Sequence, residues 1–461
     1  MNYISTRGKA PVLGFEDTML AGLARDGGLY VPESVPQMTH DEIAALAGLP
    51  YEEVAYRIVA QFTDLPEDVL RGLIANAYAG FGHDARAPLK QLDSGLFLLE
   101  LFHGPTLAFK DFAMQLIGQM FTEAMGRRGD RITIVGATSG DTGSAAIEAF
   151  RGLDNVDVFI LYPHGRVSEV QRRQMTTPAE ANVHAIAIDG DFDDCQAAVK
   201  AMFNDFDFRD SVGLTAVNSI NWARVLAQVV YFFTSAVAVG APHREVSFTV
   251  PTGNFGDIFA GYIAKCMGLP IDRLVVATNR NDILHRTLAD GAHRKDGVEP
   301  TISPSMDIQV SSNFERALFD AYGRDGGAVR QLMAELSDNG GFTVSQGALE
   351  TLREHFDSGR ASEEETTATI RDTHARTGEI LCPHSAVGVK VAREHLDPAV
   401  PMIALATAHP AKFPDAVEAA MGDRPALPNR MADLYDRPER VNRIANDLSD
   451  IQSFIRKNIA S

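Results

Sequence analysis

Lys110 closes the run LFHGPTLAFKD, with Leu107, Ala108 and Phe109 before it and an apolar helical stretch after it. A lysine stem among apolar side chains points to a partly desolvated ammonium, and desolvation lowers its pKa toward a nucleophilic amine. Almost all of the 42 basic residues are surface cations with snorkelling stems. Lys110 therefore gains meaning only from its company. Two loops supply it: GATSGDTGSA, Gly136 to Ala145, and PTGNFGD, Pro251 to Asp257, each following a strand-like run and opening a helix. Small residues there let backbone N–H groups converge at a helix N-terminus, whose partial positive charge holds a carboxylate or phosphate. Taken singly, each loop also reads as an ordinary cap or tight turn. GATSGDTGSA lacks the GK[ST] of a nucleotide P-loop and the GxGxxG of a dinucleotide fold. Together, one amine for an aldehyde, one phosphate cradle and one further anion site suit pyridoxal phosphate with an amino-acid substrate better than a nucleotide.

The elements that must position these residues follow a repeating pattern. LFLLELF from Leu96, RITIV from Arg131, VDVFILY from Val156 and VHAIAI from Val183 are strand-like, and FAMQLIGQMFTEAMGR, SAAIEAF and DDCQAAVKAMF are helical between them. The alternation resumes after a long helix over 221–240 with EVSFTV, IFAGYIAKCM, LVVAT and, near the end, MIALATA. This predicts an α/β protein with mostly parallel sheets covered on both faces. We expect an N-terminal helical region over 1–95, with periodic apolar residues in HDEIAALAGLPYEEVAYRIVAQF. A smaller α/β domain is expected over 96–220, with Lys110 at its start, and a larger one over 221–461 with a helical elaboration at about 291–380. VNRIANDLSDIQSFIRKN is expected to form a terminal amphipathic helix.

A length of 461 residues calls for more than one core, and 45% hydrophobic with 22% charged residues is the balance of a soluble globular chain. The net charge of -19 disfavours nucleic-acid and anionic-membrane roles. Cys195, Cys266 and Cys382 lie far apart with no CxxC pair, and neither a leader nor a long apolar run is evident, so reduced thiols and a cytoplasmic location are expected. No metal spacing is seen, so no metal is expected. Arg166, Ser168, Asn218, Ser219, Asn221 and Arg224 sit in the polar patches GRVS and NSINWAR and are candidates to hold a substrate phosphate, arginine through its bidentate fork. His103 is a candidate acid or base near Lys110, though a histidine packed in a loop is the preferred reading; His384 and His409 are weaker candidates.

ELFHGPTLAFKDFA, GATSGDTGSAA, VNSINWAR, PTGNFGD and ATAHPAKF, in that order and with YISTRG and GLYVPE before them, resemble the threonine synthases among the fold type II pyridoxal-phosphate enzymes over nearly the whole chain. The resemblance implies that fold, with Lys110 holding the cofactor as a Schiff base and then shuttling protons. It implies N–H donors to the cofactor phosphate from Gly253, Asn254, Phe255 and Gly256, with Asp257 in the same loop, and Thr407 at the pyridine nitrogen. Thr138, Ser139, Gly140 and Thr142 would bind the substrate carboxylate, with Asp141 close to the cofactor's phenolic oxygen. The implied reaction takes O-phospho-L-homoserine and water to L-threonine and phosphate, in a monomer or homodimer. Many fold type II relatives carry Asn where this chain has Asp141, and an ionised carboxylate beside two anions must be protonated, turned away or paired with a cation. The nearest alternative is another fold type II lyase, a serine or threonine dehydratase or a phospholyase; more distant ones are a non-catalytic binding protein and a nucleotide binder using GATSGDTG.

Overall fold

Val246–Pro251, Ile271–Thr278 and Met402–Ala406 are rich in apolar residues, and each is buried along most of its length. Such strands are stable only where helices cover both faces of a parallel sheet. The computed structural model, which describes residues 1–459 apart from residue 216, places them at the centre of a six-stranded sheet. Its order is Phe356–Arg360, Ile271–Thr278, Val246–Pro251, Met402–Ala406, Leu96–Glu100 and Leu89–Gln91, parallel except for the last strand. A second, wholly parallel sheet runs Asn442–Ile444, Val183–Ile188, Val156–Pro163, Ile132–Ala137 and Leu214–Thr215.

The helix Trp222–Ala238 is apolar all round and buried on nearly every side. It packs against the helices Lys110–Arg128, Gly256–Cys266 and Tyr51–Val59, tying the N-terminal region to both functional loops. Two expectations about boundaries differ from the observed sheets. Leu96–Glu100 was expected in the smaller domain, but it pairs with Met402–Ala406 in the larger sheet. Residues 442–444 were expected to be helical within the larger domain; they instead add an edge strand to the smaller sheet, and helix begins only at Leu448, capped by the Asp447 side chain. The periodic N-terminal stretch divides into His40–Ala44 and Tyr51–Val59, interrupted before Pro50, where a helix cannot run through. No helix among the described residues is long and apolar enough to cross a membrane.

Candidate active site

Three adjacent parallel strands of the larger sheet end at one place, and a functional loop leaves each of them. Leu96–Glu100 leads to Lys110, Met402–Ala406 to Thr407 and Val246–Pro251 to Gly253. The carboxyl ends of parallel strands are where open α/β sheets present ligand sites. Lys110 is fastened beside Thr407 by a short antiparallel bridge: Phe109 N–H donates to the Thr407 carbonyl (2.8 Å) and His409 N–H to the Leu107 carbonyl (3.0 Å). Leu107 takes a left-handed φ of 65° to make the turn, a strained choice for a branched side chain, and its complete burial holds it there.

The smaller sheet contributes Asp141, at the first turn of the helix Asp141–Phe150. Its Oδ1 receives Lys412 Nζ (2.9 Å) and Gln171 Nε2 (2.9 Å), and its Oδ2 lies 3.5 Å from Lys110 Nζ. Burial alone would raise the Asp141 pKa, but Lys412 first and Lys110 second outweigh it, so the carboxyl is held far below its usual range and is ionised. Of the three states the sequence allowed, pairing with a cation is the one found. Lys412 is fully buried and also donates to the Thr106 carbonyl (2.7 Å). Burial lowers the Lys110 pKa; Asp141 opposes the shift while Arg224 and Lys412 add to it. His384 accepts the Ser305 N–H at Nε2 (3.1 Å), and burial pushes its pKa down to about 4, so it is a neutral acceptor at pH 7.

The loop from Gly253 to Asp257 is built from its backbone. None of its five N–H groups finds an acceptor among the described residues. Phe255 turns the chain with a φ of 65° while its ring packs against Phe314 and Phe356. A Cβ on Gly253 would sit 2.8 Å from the Ser305 carbonyl oxygen, so glycine is required. Ser311 Oγ donates to the Gly253 carbonyl (2.7 Å), and Asn313 links the Asn254 and Ser219 carbonyls (3.0 Å each). The Asp257 carboxyl faces the Tyr231 hydroxyl in the core, where burial pushes its pKa up to about 7. A cradle of free N–H groups beside a carboxyl turned into the core suits a phosphate, and a buried amine of lowered pKa suits an aldehyde. The Thr407 hydroxyl has no partner among the described residues, while its N–H donates to Ser385 Oγ (3.2 Å) and its carbonyl accepts from Phe109 N–H. These residues fit pyridoxal phosphate.

The other expected residues divide. Thr138 Oγ1 accepts the N–H groups of Gly140 and Gly143 (2.9 Å each), which leaves those of Ser139, Asp141 and Thr142 available. Arg224 is buried with an unpartnered Nε and one long bond to the Val217 carbonyl (3.4 Å); burial lowers its pKa to about 10 and no carboxylate pairs with it among the described residues. Ser219 lies near Ser312 (3.4 Å) beside the cradle. Asn221 is occupied as a helix cap and by the Met19 carbonyl, and Ser168 caps Glu169–Thr176. Asn218 and Arg166 are exposed, and the structure does not bring Arg166 into the cluster. His103 pairs with Glu100 at 2.7 Å. Lys412, Gln171, Ser305, Ser311 and Asn313 were not singled out in the sequence. Of these, only the pairing of Ser168 with Gln171 as a capping box left a local signal.

Residues 83–342 match the family described as pyridoxal-phosphate dependent enzyme, residues 2–78 threonine synthase N terminus and residues 385–455 threonine synthase, C-terminal. A threonine synthase of Pseudomonas aeruginosa is 54% identical over 99% of this chain and 98% of its own. The structure of a pyridoxal-phosphate-bound threonine synthase from Brucella melitensis superposes with a TM-score of 0.98 at 57% identity over 100% of both chains. That of the yeast threonine synthase gives 0.94 at 40%, covering 99% of this chain and 98% of its own. The fold is therefore fold type II, the cofactor is pyridoxal phosphate, and the chain belongs to the threonine synthase family.

Proposed function

We propose that this chain converts O-phospho-L-homoserine and water to L-threonine and phosphate, eliminating phosphate from the γ-carbon and adding water at the β-carbon. The observation that carries the substrate is Arg224. A buried guanidinium without a counter-ion costs several kcal/mol unless an anion completes it, and it lies close enough to Lys110 to lower that amine's pKa. The Gly253 loop is a separate cradle, so two phosphates have two sets of donors.

In this reading Lys110 and the N–H groups of Gly253 to Asp257 hold the cofactor, with the Thr407 hydroxyl toward its ring nitrogen. Pyridoxal phosphate, when bound, supplies an electron sink for charge developing at the substrate α-carbon. Lys110 removes the α-proton and then works at the β-carbon, a role open to an amine whose pKa is lowered toward the working range. The N–H groups of Ser139 and Thr142 hold the substrate carboxylate at the helix start. Arg224 and Ser219 hold its phosphate. Asp141, kept ionised by Lys412, orients the Lys110 ammonium whenever the amine carries the proton.

Incubating the holoenzyme with O-phospho-L-homoserine and resolving the products tests this directly: threonine and phosphate in equal amounts are expected, and 2-oxobutyrate without threonine rules the reading out. Lys110→Ala is expected to remove turnover by about a thousandfold or more, the scale of a lost nucleophile and proton carrier. Arg224→Gln is expected to raise KM for the phosphorylated substrate by tenfold or more, about 1.4 kcal/mol or above.

A further inference from the structure

Thr106, whose carbonyl receives Lys412 Nζ, also lines a cavity of about 460 Å³ that includes none of the residues assigned above to cofactor or substrate. Gln174 sets its polarity. This side chain is 6% exposed, and its Nε2 donates to the same Thr106 carbonyl (3.0 Å), so the amide cannot flip without placing oxygen against oxygen. Its Oε1 is thereby fixed as a buried acceptor with no hydrogen-bond partner. Buried acceptors of this kind are rare and call for a donor. Glu180 adds a second, since its Oε2 is buried without a hydrogen bond while Oε1 stands 3.7 Å from Arg151.

The same cavity carries a cation in need of an anion. Arg430 lies at the exposed edge of the cavity, donates to the Gly104 carbonyl (2.8 Å) and makes no ion pair among the described residues. Pro105, Met431 and Leu434 supply apolar wall between the polar groups. Glu148, which pairs with Arg151 at 3.0 Å, has its carboxyl pushed up to about 7 by burial, and a nearby ammonium would restore its charge. Unpartnered acceptors, an unpaired guanidinium and apolar wall in one small cavity describe a ligand that has both an ammonium and a carboxylate.

We propose that this cavity binds a small zwitterion of the amino-acid class with an apolar side chain, its ammonium on Gln174 Oε1 and Glu180 and its carboxylate on Arg430. Binding is felt at Lys110, because Gln174 and Lys412 share the Thr106 carbonyl and Lys412 holds Asp141 in place. A ligand that draws on Gln174 alters the bond that Lys412 can make, which is the differential contact that coupling requires.

Calorimetric titration of the holoenzyme with L-leucine, without substrate, tests the site independently of the reaction proposed above. Binding of one leucine per chain is expected, with 4-methylpentanoate and 3-methylbutylamine each at least about tenfold weaker for want of one charged end. Arg430→Gln removes the carboxylate partner, and Ala179→Trp, at an exposed position lining the cavity, fills it without changing charge. Each variant is expected to weaken leucine about tenfold or more while leucine-free turnover stays within about twofold. No leucine binding, or binding that both variants leave unchanged, overturns the site. Binding that moves neither KM nor kcat overturns its link to Lys110.

Discussion

The two loops that open helices at Gly140 and Gly256 look alike in sequence and handle charge in opposite ways. Both follow a parallel strand, both place an aspartate in the first helical turn, and Ser305 meets both, its Oγ 3.5 Å from Asp141 Oδ2 and its carbonyl oxygen close to Gly253. At Gly253 to Asp257 no N–H has an acceptor among the described residues, and the aspartate turns inward to Tyr231 with a pKa of about 7. At Thr138 to Thr142 two N–H groups are taken by Thr138 Oγ1, and the aspartate points at Lys110 as an ionised group. A helix start thus serves as an anion receptor where its own carboxylate is either turned away, as at Asp257, or balanced by a cation, as at Asp141. Where the carboxylate stays, a cation from elsewhere must balance it, and here that cation is Lys412.

The comparison breaks most severely if Lys412 is lost. Lys412→Met leaves Asp141 buried with Lys110, at 3.5 Å, as its one remaining ion-pair partner among the described residues. Breaking a buried pair costs about 3–5 kcal/mol, which urea unfolding would register as a fall in the midpoint. Asp141→Asn in the same chain removes the stranded charge, so the double variant is expected to regain most of that stability. Activity separates from stability here: without Lys412 the Lys110 pKa loses a lowering influence and rises, which moves the acid limb of the rate profile to higher pH.

How much of this could be read in advance follows from how local each signal is. The strands, the Lys110 loop and the glycine loop were legible because unbroken apolar runs and strand-loop-helix punctuation are written within about ten residues. Lys412 was not, since it sits in a short turn, Pro410–Lys412, and its meaning comes from Asp141 in the other sheet. Leu96–Glu100 was assigned to the wrong sheet for the same reason: its partner strand, Met402–Ala406, comes near the end of the chain. Ser168 and Asn221 show the reverse case. Their polar character was read as ligand-binding, yet each is spent on a helix N-terminus.

A milder change tests the free-donor loop. Gly253→Ala places a methyl group 2.8 Å from the Ser305 carbonyl oxygen and 3.5 Å from the Met306 Cα, both backbone atoms with little room to yield. The loop must shift, at about 1–3 kcal/mol. Because the cradle holds its ligand through backbone N–H groups, the shift is expected as a rise of tenfold or so in the cofactor dissociation constant, measured by absorbance titration of the apoenzyme.

The smallest effect concerns Asp257, the aspartate that the Gly253 loop turns away. In the folded chain Asp257 keeps its proton to about pH 7, whereas an unfolded aspartate releases it near pH 4. Between those values the native state binds more protons than the unfolded state, so the stability contributed at this position falls as pH rises. Asp257→Asn retains the shape and an acceptor for the Tyr231 hydroxyl but does not titrate. The variant is expected to lose the part of the pH dependence of Tm that belongs to this window and to match the parent most closely near pH 4. If the variant keeps the full slope, the Asp257 carboxyl is ionised in the fold. It would then stand as a bare negative charge at the start of the helix whose N–H groups form the cradle, and the contrast with Asp141 would disappear.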